Sequence, residues 1–189
     1  SGDLVHNDVT GRSHITGTAT FASTGRTPLI NADLQLLPLA LATAGQFAPA
    51  AGLRGSVTGP VSVTGPMSNL AVVTDLTTQD GGSISAHGTL NLAATPKSYD
   101  MSLTAHLFDV SQISTKGPHT SLSADVGARG SGFDPATLSA TATANVRTSV
   151  YDSVSVDSAT LRVAAANGLL TIDTLAIAVP HGRATAAGQ

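Results

Sequence analysis

The sequence contains no cysteine, no tryptophan and no glutamate. Without cysteine there is no disulfide framework, and the redox state of the compartment cannot be inferred from the sequence. All 12 acidic residues are aspartate and only two residues are lysine, so the residues typical of helical surfaces are largely missing. Charged residues make up 11% of the chain, against roughly 25% in ordinary globular proteins. These absences predict an almost wholly β protein, in which Ser, Thr, Gly and Ala replace charged residues.

Aromatic side chains are scarce, with four Phe and two Tyr in 189 residues. Because aromatic side chains dominate the burial of compact cores, their scarcity favours a smooth aliphatic surface over a tightly filled core. The net charge is −3 and the basic residues are scattered, which argues against binding to nucleic acid or to an anionic membrane surface. The sequence has no signal peptide and no apolar run of about 18 residues that would cross a bilayer as a helix.

Apolar residues occupy every second position through most of the stretch from Leu53 to Val110, with Ser, Thr, Asp, Asn and His between them. A period of two is typical of strands that have one apolar face and one polar face. Turn sequences such as Asp80-Gly81-Gly82 separate the runs. The rest of the chain repeats this pattern, so we predict an elongated antiparallel sheet of about 11 successive strands.

A few local signals qualify this pattern. Residues 39–47 form the only stretch with a helical composition, and we expect one short helix there that covers one end of the sheet or acts as a lid. Asn167-Gly168 lies between two alternating runs and predicts a type I′ hairpin turn. Loose repeats of about 70 residues, at 32–104 and 105–174, suggest a stack of strands that is extended by adding units. The alternation is under way by Leu4, so we expect residues 1–189 to be a single segment of a longer repetitive protein.

No motif predicts catalysis or metal binding. The six histidines lack zinc-site spacing; His87 and His106 are placed on neighbouring strands, where we expect them to be solvated surface residues. There is no Gly-x-Ser-x-Gly motif, and turns explain most of the aspartates. One Gly-x-Gly-x-Asp fragment at residues 130–134 is a single copy of a motif that calcium β-rolls need in tandem, so it predicts a turn. We therefore predict a protein that is not an enzyme and has no cofactor.

Three stretches resemble the AsmA/TamB-like superfamily of bacterial envelope proteins, in particular its TamB-type members. They are LRGSVTGPVSVTGPMSNLAVVTDL at residues 53–76, HGTLNL with the following SLTAHLFDVSQI within residues 87–113, and the tail from Ser131 to Gly188. The tail has the Gly-x-Asp-Pro-x-Thr-Leu step, the Val-Asp-Ser-Ala-x-Leu strand and the Asn-Gly-x-Leu-x-Ile-Asp-x-Leu hairpin in the manner of this family.

The resemblance implies a taco-shaped β-sheet (a β-taco) that is curved so that its apolar face lines a groove. It also implies a periplasmic segment of a parent protein anchored in the inner membrane of a diderm bacterium. Such proteins are implicated in moving phospholipid to the outer membrane, or in helping outer-membrane β-barrel proteins to assemble. Acyl chains are then the expected ligand. The residues expected to line the groove are Val57, Val61, Val63, Leu90, Leu92, Met101, Leu103, Leu107, Val126, Leu161, Val163, Leu170, Ile172 and Ile177.

Three alternatives remain open at this point. Alternation alone does not distinguish a groove from two apolar faces that pack together as an ordinary core. A structural β-solenoid of a surface protein would share the strand pattern, although a strict short repeat is missing. A chaperone module for outer-membrane proteins would use open sheet edges to pair with client strands. If the face is an open groove, we expect the segment to self-associate or to carry bound detergent or lipid, because its apolar strip would exceed what monomers usually expose.

Overall fold

The computed structural model describes residues 1–8, 11–22, 28–45, 52–133 and 138–188. Within them, the chain forms fourteen strands and two short helices. The strands are β1 (Gly2–Asp8), β2 (Gly11–Ala22), β3 (Leu29–Ala40), β4 (Ser56–Pro66), β5 (Leu70–Thr78), β6 (Ser83–Asn91), β7 (Ser98–Phe108), β8 (Thr120–Ser131), β9 (Ser139–Val146), β10 (Ser149–Tyr151), β11 (Val154–Val156), β12 (Ser158–Ala166), β13 (Leu169–Val179) and β14 (Gly182–Gly188). The helices are α1 (Leu41–Gly45) and α2 (Val110–Ile113).

The strands form one antiparallel sheet in the order β1-β2-β3-β4-β5-β6-β7-β8-β9-β12-β13-β14. Strands that follow one another along this path are hydrogen-bonded neighbours, and the sheet is open, with β1 and β14 at its two edges. The short strands β10 and β11 form a hairpin beside this path, in which β10 pairs with β8. The predicted class, an all-β chain with one elongated antiparallel sheet, is confirmed.

Turn chemistry explains the consecutive pairing. Ala166 pairs with Leu169 across a two-residue loop, in which Asn167 has φ 53° and Gly168 has φ 77°. Positive φ at both loop residues is the requirement of the type I′ turn that the sequence predicts. Between β5 and β6, the amide of Gly81 donates to the carbonyl of Thr78 at 3.1 Å, and Gly81 has φ 85°.

The strand count differs from the predicted 11 because two long runs are interrupted. The predicted run from Leu138 to Val150 ends as β9 at Val146 and resumes as β10 at Ser149. The following run is divided in the same way into β11 and β12 by Asp157. Both interruptions lie beside β8 and β13 at the same end of the sheet, so the β10–β11 hairpin departs from the main path there.

Helix prediction was correct in kind and wrong in extent. A proline at position 38 would be expected to interrupt the third strand, because proline cannot donate to a ladder, yet β3 continues to Ala40. The pairing register of β3 with β4 shifts between Leu36 and Leu39, and a bulge tolerates a residue that lacks an amide hydrogen. Helix α1 therefore begins only at Leu41, and positions 46–47 of the predicted helix lie outside the described residues. Neither helix in the described part of the chain is long enough to cross a membrane.

A second helix, α2, occurs where the sequence predicts a connection of turns. It begins after Asp109, whose side chain caps it by accepting from the amide of Ser111 at 2.9 Å. Strands β3 and β7 share the same layout, since each has a register shift and is then followed by a short helix. The two shifts, after Leu36 and after Ala105, are about 70 residues apart.

Most of the buried apolar side chains lie at the end of the sheet that carries the helices, which we call the helix end. The segment before β4 joins the two helical regions there: Arg54 donates its amide to the carbonyl of Ile113 at 3.0 Å, and Leu41 donates to Gly55 at 2.9 Å. Of the seven apolar side chains that are buried in the described part of the chain, only Leu70 lies at the other end. The six at the helix end are Leu36, Ala40, Val57, Ala105, Phe108 and Ala124.

Candidate functional site

One face of the sheet carries a nearly continuous apolar row across all twelve strands of the main path, and we call it the apolar face. Residues that pair directly across an antiparallel ladder lie on the same face. The pairings link one residue of every strand into a central row, and Thr74 is its only polar side chain. The hydroxyl of Thr74 donates to the backbone oxygen of Pro60 at 2.8 Å. The row consists of Gly2, Gly17, Leu34, Val61, Thr74, Ala86, Leu103, Val126, Ala144, Leu161, Leu175 and Ala186.

A second row lies beside the central row and contains no polar side chain. It runs from β2 to β14 through Ala19, Ala32, Val63, Val72, Gly88, Met101, Ala128, Ala142, Val163, Ile172 and Gly188. At a strand spacing of about 4.8 Å, the eleven steps of the central row cover roughly 53 Å. The two rows therefore form a continuous uncharged surface that runs across the whole width of the sheet.

The opposite face carries the polar and charged residues. Asp33, Asp75, Asp100, Asp125 and Arg129 lie there, and several of them bind neighbours on the same face. Ser62 donates to Asp33 at 2.7 Å, and Thr104 donates to Asp125 at 2.9 Å. Arg147 forms an ion pair with the same Asp125. The two faces therefore differ sharply in charge.

Exposure to solvent also alternates between the faces. Along β5 from Val72 to Thr77 and through most of β6 and β7, side chains on the apolar face are half-buried and those on the polar face are exposed. Among the described residues, substantial strand contacts outside the sheet pairing occur only between β11 and β13, so no second sheet covers this face. In these strands, side chains on the apolar face therefore shield one another from water more than those on the polar face do.

Twelve of the fourteen predicted lining residues lie on the apolar face. Val61, Leu103, Val126 and Leu161 belong to the central row, and Val63, Met101, Val163 and Ile172 to the second row. Val57 and Ile177 lie towards the helix end, whereas Leu90 and Leu170 lie towards the opposite end. Small members of both rows, such as Ala86 and Ala144, follow the predicted alternation but were not among the predicted lining residues, because Ala and Gly carry little hydrophobic signal.

Leu92 and Leu107 are the two predicted lining residues that the structure places elsewhere. Leu92 follows the end of β6, and its amide donates to the carbonyl of Met67 at 2.7 Å. Leu107 has φ 47° and lies in the bulge between Ala105 and Phe108. The extra residue of the bulge exposes 55% of Leu107 and gives the inward position to Phe108, which is 5% exposed.

Histidines do not converge on a metal site in the described part of the chain. His87 pairs with Ser102, and His106 pairs with Ser83 at the other end of β6. Four residues of a strand separate these two positions, which corresponds to about 13 Å. Both histidines are exposed on the polar face.

A polar cluster that the sequence analysis missed surrounds the start of α2. The hydroxyl of Ser111 lies 2.9 Å from Nδ1 of His119, and Oδ2 of Asp109 lies 3.5 Å from the same nitrogen. A catalytic relay needs the acid and the nucleophile on the two different ring nitrogens. Ser111 is also only 2% exposed. These three residues therefore stabilise the connection between α2 and β8 and do not form a catalytic relay.

Asp109 is the centre of this cluster. Partial burial raises the pKa of Asp109, but hydrogen bonds to its carboxylate lower the pKa by more, so that it falls to about 2. These hydrogen bonds come from the backbone of Thr120, from the side chain and backbone of Ser111 and from His119. Its Oδ1 accepts from the amides of Ser111 and Thr120, both at 2.9 Å. The carboxylate thus ties α2 to the first residue of β8.

Comparisons with protein-family models, with curated proteins and with solved structures find no match to this chain.

Proposed function

We propose that this chain is a segment of a lipid-transfer protein that binds phospholipid acyl chains on its apolar face. The observation that carries this proposal is the pair of uncharged rows on a face that no second sheet covers among the residues that the structure describes. The only side-chain hydroxyl of the central row donates to the carbonyl oxygen of Pro60. The rows therefore provide apolar contacts for a hydrocarbon and almost no hydrogen-bonding groups for a polar ligand.

The energetics agree with this role. Removing a methylene from water is worth about 0.8 kcal/mol, so an acyl chain of about 16 carbons gains on the order of 10 kcal/mol when it is fully shielded. An acyl chain spans roughly 15 Å, half of the hydrocarbon core of a bilayer. The apolar face is long enough for several such chains end to end. Since the rows hold no charged anchor, chains are expected to slide along the face, and transport would be passive.

The cellular setting follows from the resemblance to AsmA/TamB-like proteins. The segment would then work in the periplasm of a diderm bacterium, in a parent protein anchored in the inner membrane, with an outer-membrane β-barrel as a partner. Its role would be conduction of lipid between the membranes, without catalysis. The separation of an apolar face from a polar face suits a sheet that has lipid on one side and water on the other.

Native mass spectrometry with lipid extraction, on protein purified without detergent, tests the proposal. We expect about one or more phospholipids per chain, or self-association through the apolar face. A lipid-free monomer would contradict the proposal, because its apolar face would then have to be closed in solution and the chain would act as a structural module.

A further inference from the structure

An apolar cavity of about 440 Å³ lies at the helix end of the apolar face. Three parts of the chain build it: the segment around α2, the inward residues of the sheet, and the β10–β11 hairpin. Its lining consists of Val110, Pro118, Thr120, Leu122, Val146, Ser149, Val150, Tyr151, Val156, Ala159 and Ile177. Of these, only Ile177 was expected from the sequence to line the groove.

The hairpin forms a wall because its base is fixed at both ends. At the first end, the hydroxyl of Ser149 accepts from the amide of Ser123 at 2.9 Å and donates to the carbonyl of Arg147 at 2.7 Å. At the second end, the amide of Asp157 donates to the carbonyl of Ala178 at 2.9 Å. Between these points β10 pairs with the start of β8, and β11 contacts β13.

Of the three side-chain hydroxyls in the lining, those of Thr120 and Ser149 are already hydrogen-bonded within the protein, and the third belongs to Tyr151, which is 55% exposed. Thr120 accepts from the amide of Val110 and donates to the carbonyl of Phe108, both at 2.9 Å. The hydroxyl of Ser149 has the two partners given above. The lining includes no charged residue. A ligand group that needs a hydrogen bond would therefore lose its bonds to water here without replacement.

We propose that this cavity is a discrete binding site for the end of one acyl chain, held by the β10–β11 hairpin. The proposal rests on the proposed function and adds one specific binding site to a face along which acyl chains otherwise slide. An apolar cavity of roughly 150 Å³ holds one benzene molecule, so this one has room for a hydrocarbon of on the order of 10–16 carbons.

The size and chemistry of the cavity select this occupant over a protein partner. The cavity is too large for one side chain to fill, so a protein would have to insert backbone, and its amide and carbonyl groups would find no partners in the lining. A hydrocarbon chain has no such groups. Val150 and Tyr151 line the cavity and are also 39% and 55% exposed, which leaves an opening on the hairpin side for a chain to enter.

A chain-length series on the unmodified protein tests the proposal without any variant. Saturated fatty acids from 8 to 18 carbons would be titrated below their aggregation concentrations after lipid removal. Affinity should rise about fourfold per methylene and should stop rising at about 10–16 carbons, when the cavity is full. An affinity that continues to rise up to 18 carbons would contradict the discrete site in the cavity, but it would remain compatible with binding along the open apolar face. No binding at any length would overturn both this proposal and the proposed function.

Photo-crosslinking locates the chain. Hexadecanoic acid with a diazirine at its methyl end should crosslink mainly to the cavity lining, with Val156 and Leu122 among the labelled residues. Ala159→Phe fills the cavity and should reduce this labelling at least tenfold, whereas Ala142→Phe, the same change elsewhere on the apolar face, should not. Labelling spread evenly along the face, and unaffected by Ala159→Phe, would contradict the site. Competition by an apolar decapeptide as strong as that by unlabelled hexadecanoic acid would also contradict it.

Discussion

A carboxylate placed on the central row should interrupt the path of an acyl chain. Leu103 on β7 and Leu161 on β12 both belong to this row and are both half-buried. Three strand steps separate them, which corresponds to roughly 14 Å. An acyl chain of roughly 15 Å that covers the strands between them must therefore lie over at least one of the two positions. In the double variant Leu103→Asp/Leu161→Asp, that position is a hydrated carboxylate.

The cost follows from the contact that is lost. About four methylenes cover one strand width of roughly 4.8 Å, and at about 0.8 kcal/mol each their exposure costs about 3 kcal/mol. Because 1.4 kcal/mol corresponds to a factor of ten, this equals roughly a hundredfold loss of occupancy. A chain that moves sideways to the second row avoids part of this cost. We therefore expect a loss of between tenfold and a hundredfold.

The assay reads occupancy locally. A photoreactive phenylalanine analogue at Ala144, which lies on β9 between the two carboxylates, reports acyl chains by crosslinking to a radiolabelled phospholipid. The same analogue at Val63 reports the part of the face that has no added charge, and its signal should be retained. Retention at Val63 also shows that the double variant is folded.

The matched control moves the charges to the other face. Ser102→Asp/Thr160→Asp changes an adjacent residue on each strand, and both side chains are exposed on the polar face. Crosslinking at Ala144 should be unchanged in this control. Equal losses in both double variants, or no loss in Leu103→Asp/Leu161→Asp, would refute the apolar face as the lipid path.

Three further predictions concern stability. Phe108→Ala should lower the free energy of unfolding by about 3 kcal/mol, because Phe108 is 5% exposed at the helix end, whereas Phe21→Ala, at a site that is 67% exposed, should change it by less than about 0.5 kcal/mol in urea unfolding. Gly88→Ala should destabilise by about 1–3 kcal/mol, since its Cβ would meet the backbone of Asp100 and Met101 across the ladder; Gly188→Ala, which has no neighbour within 4 Å, is the control. The lowered pKa of Asp109, about 2 against about 3.9 in the unfolded chain, means that its ionised form stabilises the fold above about pH 4, and that this stability is lost as the pH falls towards 2. The side chain of Asp109 is 21% exposed, so water partly screens it, and the free energy of unfolding should fall by about 1–2 kcal/mol over this range. Asp109→Asn should flatten the pH dependence of urea unfolding between pH 5 and pH 2.

Much of the fold can be predicted from local pattern alone. The alternation at residues 57–63 and 101–105 assigns each side chain to a face, because successive residues of any strand point to opposite sides whatever their partner. The turn at Asn167-Gly168 is local in the same sense, since its backbone angles depend on two residues. These rules explain why twelve of the fourteen predicted lining residues lie together.

The wrong face assignments occur where a bulge or an interruption breaks the alternation of side chains between the two faces. Leu107 continues the apolar parity of β7, but the bulge that precedes Phe108 reverses the faces. A bulge depends on the partner strand, here on Ser123, whose side-chain hydroxyl accepts from the amide of Leu107 at 3.2 Å. The sequence of β7 alone contains no sign of it. The interruption after Val146 creates the β10–β11 hairpin that forms one wall of the cavity.

The sequence by itself determined the β class, the antiparallel order and the separation of an apolar face from a polar one, because these follow from period, composition and short turns. Only the tertiary structure decided that no second sheet covers the apolar face among the described residues, and that residues as distant as Val110, Val146 and Ile177 enclose one cavity. The physical reason is range: the direction of a side chain is set by its own backbone, whereas what lies opposite that side chain is set by strands that are far away in the sequence.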